Sequence, residues 1–196
     1  MTMRWVGAVA LAATAMGMTA PALATTTATT IGTLGTRFRY PAGREGALPM
    51  GAGQALRVRS VLGIRHPMRF GDYVWNDVGV PTSGRIRVRV DLPRQMVSVF
   101  RDGNEIGTAV IIYGTDHKPT PRGTFPILMR ARQHTSSLYD AEMPYMLRLT
   151  NDGVAIHASS VRRGSATHGC IGVPLAFAQL LFDQVARGDL VTIVGA

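Results

Sequence analysis

Two short runs in the middle of the chain alternate apolar and polar residues with a period of two. IRVRV at 86–90 and MVSVF at 96–100 both read as half-buried strands. RDGNEIG at 101–107 supplies a turn before a third β-prone run, TAVIIY at 108–113. Asp102-Gly103 is a hairpin signal, because two-residue hairpin turns need positive φ. TDHKPTPRGTFPILM at 115–129 reads as a Pro/Gly-punctuated loop leading into a strand. PYMLRLT and VAIHAS follow as short strands joined by the turn signal NDG at 151–153. One segment changes period. In PLAFAQLLFDQVARG, Leu175, Phe177, Ala178, Leu181, Phe182 and Val185 recur every three or four residues, which predicts a helix. Pro174 suits its first turn and Gly188 its stop. DLVTIVG then closes the chain as a strand. The pattern predicts a mostly β domain with one main helix, spanning 85–196.

Upstream the material differs. MTMR carries a positive charge, WVGAVALAATAMGM is apolar, and PALA ends in Ala22-x-Ala24. Residues 1–24 therefore read as a cleaved secretory signal. Its apolar core is short against the roughly 20 residues of a membrane span, so no stable span is expected after cleavage. With no cysteine near the cleavage point, a lipid anchor is not expected. Residues 25–55, dominated by Thr, Gly and Pro, read as a linker or loosely ordered arm. Residues 56–84 hold aromatics interrupted by Gly and Pro, and read as an extended lead-in with at most one short strand.

Lys and Arg outnumber Asp and Glu by 21 to 12, a net charge of +9. Such a surface favours anionic partners. The charges stand singly, as in RIRVRV, with neither a long basic run nor an aromatic-interleaved basic helix, so nucleic acid is not expected as a partner.

The chain has one cysteine, Cys170, in SATHGCIGVP. A lone cysteine in an exported protein cannot form an intramolecular disulfide, and is inert, paired with another chain, or reactive. Two features favour reactivity. Cys170 precedes the predicted helix, whose N-terminal end favours an anion. Two histidines, His157 and His168, lie near it in sequence. His157 ends the strand run VAIH, and a hairpin-like return through ASSVRRGSAT would set it beside the thiol as base, leaving His168 to shape the loop. Backbone N–H groups of Gly169 and Cys170 could then face an oxyanion. A zinc site of His134, His157, His168 and Cys170 is the rival. It has neither C-x-x-C nor H-E-x-x-H spacing and no adjacent carboxylate, so no metal is expected.

The motif H…THGCIGVP resembles the signature of the L,D-transpeptidases, the YkuD-domain family. KPTPRGTFPI is similar to that family's Thr-Pro-x-Gly-x-Phe segment, here Thr120, Pro121, Gly123 and Phe125, and MPYMLRLTNDGVAIHAS to its histidine-bearing strand pair. The resemblance covers about residues 85–196. It implies a β-sandwich-like catalytic domain without a cofactor. Cys170 would attack the third residue of peptidoglycan stem tetrapeptides and release D-alanine. His157 would be the base, oriented by the Ala158 carbonyl, and the N–H groups of His168, Gly169 and Cys170 would form the oxyanion hole. Tyr145 would line the cleft beside Thr167. The place of action would be the periplasm or cell wall. Two departures stand out. Many members carry arginine where this chain has Gly172, so that Arg162 or Arg163 would have to meet substrate in its place. The spacer between His157 and Thr167 is also short, which would leave less lid over the thiol. The alternatives are a non-catalytic peptidoglycan-binding protein on the same fold and an L,D-carboxypeptidase or exchange enzyme.

Overall fold

Every second side chain between 86 and 90 enters the core: Ile86, Val88 and Val90 are buried, while Arg87 and Arg89 are half-buried on the other face. The computed structural model describes residues 35–195 except 52, 65, 116 and 137–139. The signal expected at 1–24 and the first part of the arm expected at 25–55 lie outside the described residues.

The elements run β1 (Arg37–Arg39), β2 (Gly46–Pro49), β3 (Ala55–Val58), β4 (Ser60–Leu62), β5 (Tyr73–Trp75), β6 (Ile86–Asp91), β7 (Met96–Arg101) and β8 (Asn104–Val110). Then come β9 (Gly123–Pro126), β10 (Met129–Ala131), β11 (Met146–Arg148), β12 (Ala155–Ala158), β13 (Ile171–Val173), α1 (Leu175–Gln184) and β14 (Leu190–Val194). The main sheet has the order β1-β4-β8-β7-β6-β14-β9, with β5 also pairing β8. A second sheet has the order β10-β11-β12-β13, and β2 and β3 form a separate hairpin. The β7–β8 turn is Asp102-Gly103, both at positive φ (45° and 77°), as a type I′ connection requires.

The two sheets share one apolar core. Val88, Val99, Ile106, Val191 and Ile193 of the main sheet pack with Leu147, Ile156, Ile171 and Val173 of the second and with Phe177 and Leu181 of α1. Over the described residues the fold is thus mostly β with one helix following the cysteine. That helix stops at Gln184, ahead of Gly188: Val185 turns to extended backbone (φ −92°, ψ 152°) and its side chain is drawn into the core.

Residues 35–84 hold more strand than their pattern predicts. β1 pairs antiparallel with β4, β4 joins β8 in parallel, and β5 pairs antiparallel with β8. β5 lays Tyr73 and Trp75 edge-on against Phe177, with ring centroids 6.2 and 5.6 Å away. Polar groups tie the joint. The Arg37 guanidinium donates to Ser60 Oγ (2.8 Å) and to the Glu105 carbonyl (2.7 Å), and Leu62 N–H donates to Glu105 Oε2 (2.9 Å). Burial pushes the Glu105 carboxyl above its usual range, with the Leu62 N–H and Arg37 working against it.

Candidate functional site

The second sheet brings His157 and Cys170 together, though not by a hairpin. β12 and β13 pair in parallel, with His157 opposite Gly172. Residues 159–170 connect them, about the dozen residues that a parallel connection needs. Both side chains line one pocket of about 530 Å³, with Thr167 and His168 from the connection. Lys118 and Arg148 add positive charge to its wall, Asp152 adds a carboxylate, and Met143 and Met146 add apolar surface.

His157 Nδ1 lies 2.8 Å from the Ala158 carbonyl oxygen. A carbonyl only accepts, so Nδ1 carries the proton and Nε2 is left with its lone pair. Burial lowers the imidazole's pKa, and the Ala158 hydrogen bond works against that. Burial pushes the Cys170 thiol up; a backbone hydrogen bond from Ala155 and the charge of Lys118 pull it down, and Asp152 raises it further. The thiol points at the Gly153 carbonyl, 3.7 Å away, in the NDG turn. The resting pair is therefore a neutral thiol and a neutral imidazole with a free lone pair, the arrangement that general-base activation requires.

The loop before the thiol is clamped from below. Thr120, buried, accepts from Gly114 N–H (2.9 Å) and donates from Oγ1 to the Gly169 carbonyl (3.0 Å). Thr167 N–H donates to the Tyr113 carbonyl (3.0 Å), and Thr167 Oγ1 donates to the Cys170 carbonyl (2.5 Å). Gly169 sits at φ +103°, a conformation L side chains rarely adopt. Thr120 was visible in the sequence only as part of TPRGTF, and the residue it would clamp was not.

Not every residue expected near substrate reaches the pocket. Tyr145 takes φ +55° and stacks edge-on with Phe182 of α1, centroids 5.7 Å apart, while its neighbours Met143 and Met146 line the pocket. Arg162 and Arg163 are exposed on the connection and line none of it. His168 lines it and is exposed, and Gly169 is buried beneath. No described residue of 35–84 contributes to the lining. Among the described residues, no three His, Cys, Asp or Glu side chains are grouped to hold a metal ion.

Gly172 has a steric reason. A Cβ there would lie 2.7 Å from Ile112 Cγ1 and 2.8 Å from Ser159 Cβ. Ile112 is held in place by reciprocal backbone hydrogen bonds with Gly172 (3.0 and 2.9 Å). An arginine would have to displace both neighbours. Gly172→Ala is expected to lower stability by about 1–3 kcal/mol from overpacking, and Gly172→Arg by more. Chemical denaturation reads both, and an unchanged midpoint for the alanine variant would refute the steric account.

The family model for the L,D-transpeptidase catalytic domain, YkuD, matches residues 85–193. L,D-transpeptidase 1 of Mycobacterium tuberculosis is 28% identical over 115 residues, 50% of this chain and 46% of the relative. This chain thus spans under half the length of that curated relative. A crystal structure of an L,D-transpeptidase from Stackebrandtia nassauensis aligns with TM-score 0.53 at 25% identity, covering 59% of this chain and 57% of the other. LD transpeptidase LdtMt1 in complex with imipenem aligns with TM-score 0.52 at 25% identity, covering 56% and 58%.

Proposed function

Because the chain belongs to the L,D-transpeptidase catalytic-domain family, whose members are cysteine-dependent acyltransferases, we propose that it is an exported enzyme that cross-links peptidoglycan stem peptides. The observation that carries this reading is the meeting of Cys170 and a tautomer-fixed His157 in one pocket. His157 Nε2 takes the thiol proton as Cys170 Sγ attacks the carbonyl carbon of the stem's third residue. The tetrahedral oxyanion faces the backbone N–H groups of His168, Gly169 and Cys170. As the C–N bond breaks, the proton passes from His157 to the leaving amine and D-alanine departs. An amine of a second stem then attacks the thioester, His157 takes the amine's proton, and the thiol is restored. Export to the periplasm or cell wall is part of the same proposal, supported by the signal-like pattern of residues 1–24 and by where such a substrate is found.

The absence of arginine at 172 does not favour a non-catalytic binding protein. The pocket keeps its own cations, Lys118 and Arg148. Arg148 Nε is buried without a hydrogen-bond partner, a condition that a substrate carboxylate would relieve. Arg148→Gln is expected to raise KM for a tetrapeptide donor about tenfold, the order of one lost charge-assisted hydrogen bond, with kcat little changed. Steady-state kinetics of D-alanine release reads it, and an unaltered KM removes Arg148 from substrate binding.

Product analysis tests the whole reading. Purified protein incubated with disaccharide-tetrapeptides should release D-alanine and form cross-linked dimers by mass spectrometry. Tripeptides alone would make it an L,D-carboxypeptidase. Exchange of D-alanine for added D-amino acids without dimers would make it an exchange enzyme.

A further inference from the structure

The arginines that alternate along RIRVRV do not simply face solvent. Arg85 directly precedes β6 and Arg87 lies within it, and both line a groove of about 800 Å³ on the outer face of the main sheet. The opposite wall is the β2–β3 hairpin, which contributes Arg57, with Arg59 just after β3. The floor includes Thr124 of β9 and Thr192 of β14, which face each other across the ladder. The hairpin is held over the sheet by backbone and side-chain bonds. Arg59 N–H donates to the Gly103 carbonyl (2.7 Å), and Arg89 Nε donates to the Pro49 carbonyl (3.1 Å). Among the described residues, the groove shares no lining residue with the thiol pocket.

Its positive charge exceeds its negative charge. Among the described residues, none of Arg57, Arg59, Arg85 and Arg87 has an ion-pair partner, whereas Arg89 and Arg94 just beyond are paired with Asp91. Among the described residues one carboxylate lines the groove, Asp102, and its Oδ1 already accepts the Arg85 backbone N–H at 2.9 Å. Glu45 stands outside the lining, near enough to feel Arg57 and Arg59. Four guanidinium forks on two facing walls match carboxylates set along a chain.

We propose that this groove is a second binding site, distinct from the thiol pocket, for a carboxylate-bearing strand of the peptidoglycan polymer. The choice of polymer rests on the transpeptidase reading. A second contact on the same polymer holds the enzyme near its stem peptides and raises their effective concentration at Cys170.

The test is co-sedimentation with purified peptidoglycan sacculi, using protein whose thiol has been acylated by imipenem so that the first pocket is filled. R57Q/R59Q/R85Q/R87Q is expected to bind about tenfold more weakly than the unaltered chain, the order that four exposed guanidinium contacts supply together. Binding of the unaltered chain should be lost in about 1 M salt, where the Debye length is about 3 Å. Capping the sacculus carboxylates with glycinamide should abolish it, and stripping phosphodiester-linked polymers with hydrofluoric acid should leave it intact. Equal binding by the variant, or binding that survives capping, overturns the proposal. Loss on acid stripping assigns the groove to a phosphate polymer and overturns it too. The rate of imipenem acylation reports whether the variant is folded. If it is not, R57Q/R59Q and R85Q/R87Q separately, with the capping arm on the unaltered chain, decide the matter. Failure to acylate at all would sink the transpeptidase reading, whereas normal acylation with unchanged sacculus binding would sink only this one.

Discussion

Cys170→Ala is expected to leave no imipenem adduct and no cross-linked product, a loss of at least about 10⁴ in turnover, while the protein stays folded. The loss is complete because the thiol is the one group at the site that can form the thioester, and water has no substitute path to a cross-link. The fold should survive because Cys170 is only half-buried. Its neighbours, Ala155, Met143 and Met146, form a small satellite cluster apart from the main core. Intact-protein mass spectrometry after imipenem reads the adduct, and circular dichroism reads the fold. A full-mass imipenem adduct on the alanine variant would place the nucleophile elsewhere.

His157→Ala should slow acylation by about 10²–10⁴, the range that a positioned general base supplies. The pH profile makes this specific to the base. Burial disfavours the imidazolium, so His157 titrates below the ordinary histidine value of about 6.5. Protonation removes the base, so acylation in the unaltered protein should fall as pH drops through a midpoint below about 6.5. Above that midpoint the rate should hold level across neutral pH, because the thiol is pushed up and stays protonated there. In His157→Ala the acid limb should vanish, and the rate should climb with pH toward the raised thiol pKa as free thiolate takes over. His168→Ala, at an exposed position, should keep the acid limb and lose less rate. Stopped-flow acylation across pH distinguishes them. An acid limb that persists in His157→Ala and disappears in His168→Ala would reverse the assignment.

Much of the fold could be read from periodicity because β6, β7 and α1 are long enough to show it. β6 buries alternate residues of IRVRV, β7 buries Val97 and Val99 around half-buried Ser98 before a register shift buries Phe100 as well, and α1 buries Phe177, Ala178, Leu181 and Phe182 at helical spacing. The strands before 85 could not be read in the same way. β1, β4 and β5 have three residues each, too few for a period; β4 and β5 form along the edge of β8 that β7 leaves open, and β1 adds to β4. A loop-like composition is what such residues show when their strand is completed by a partner far away in sequence.

The candidate site divides along the same line. The order of residue types in VAIH and THGC, with the Thr-Pro-x-Gly-x-Phe segment, was enough to point to the thiol, the imidazole and the family, because that chemistry depends on which groups are present. Only tertiary structure could decide that β13 runs parallel to β12 and that Thr120 clamps Gly169. It also decided that Tyr145 turns toward Phe182 and that Ile112 fills the space beside Gly172. Each of these is a contact between segments far apart in the chain, whose outcome depends on volume and backbone pairing in the assembled core, and local sequence carries no record of either.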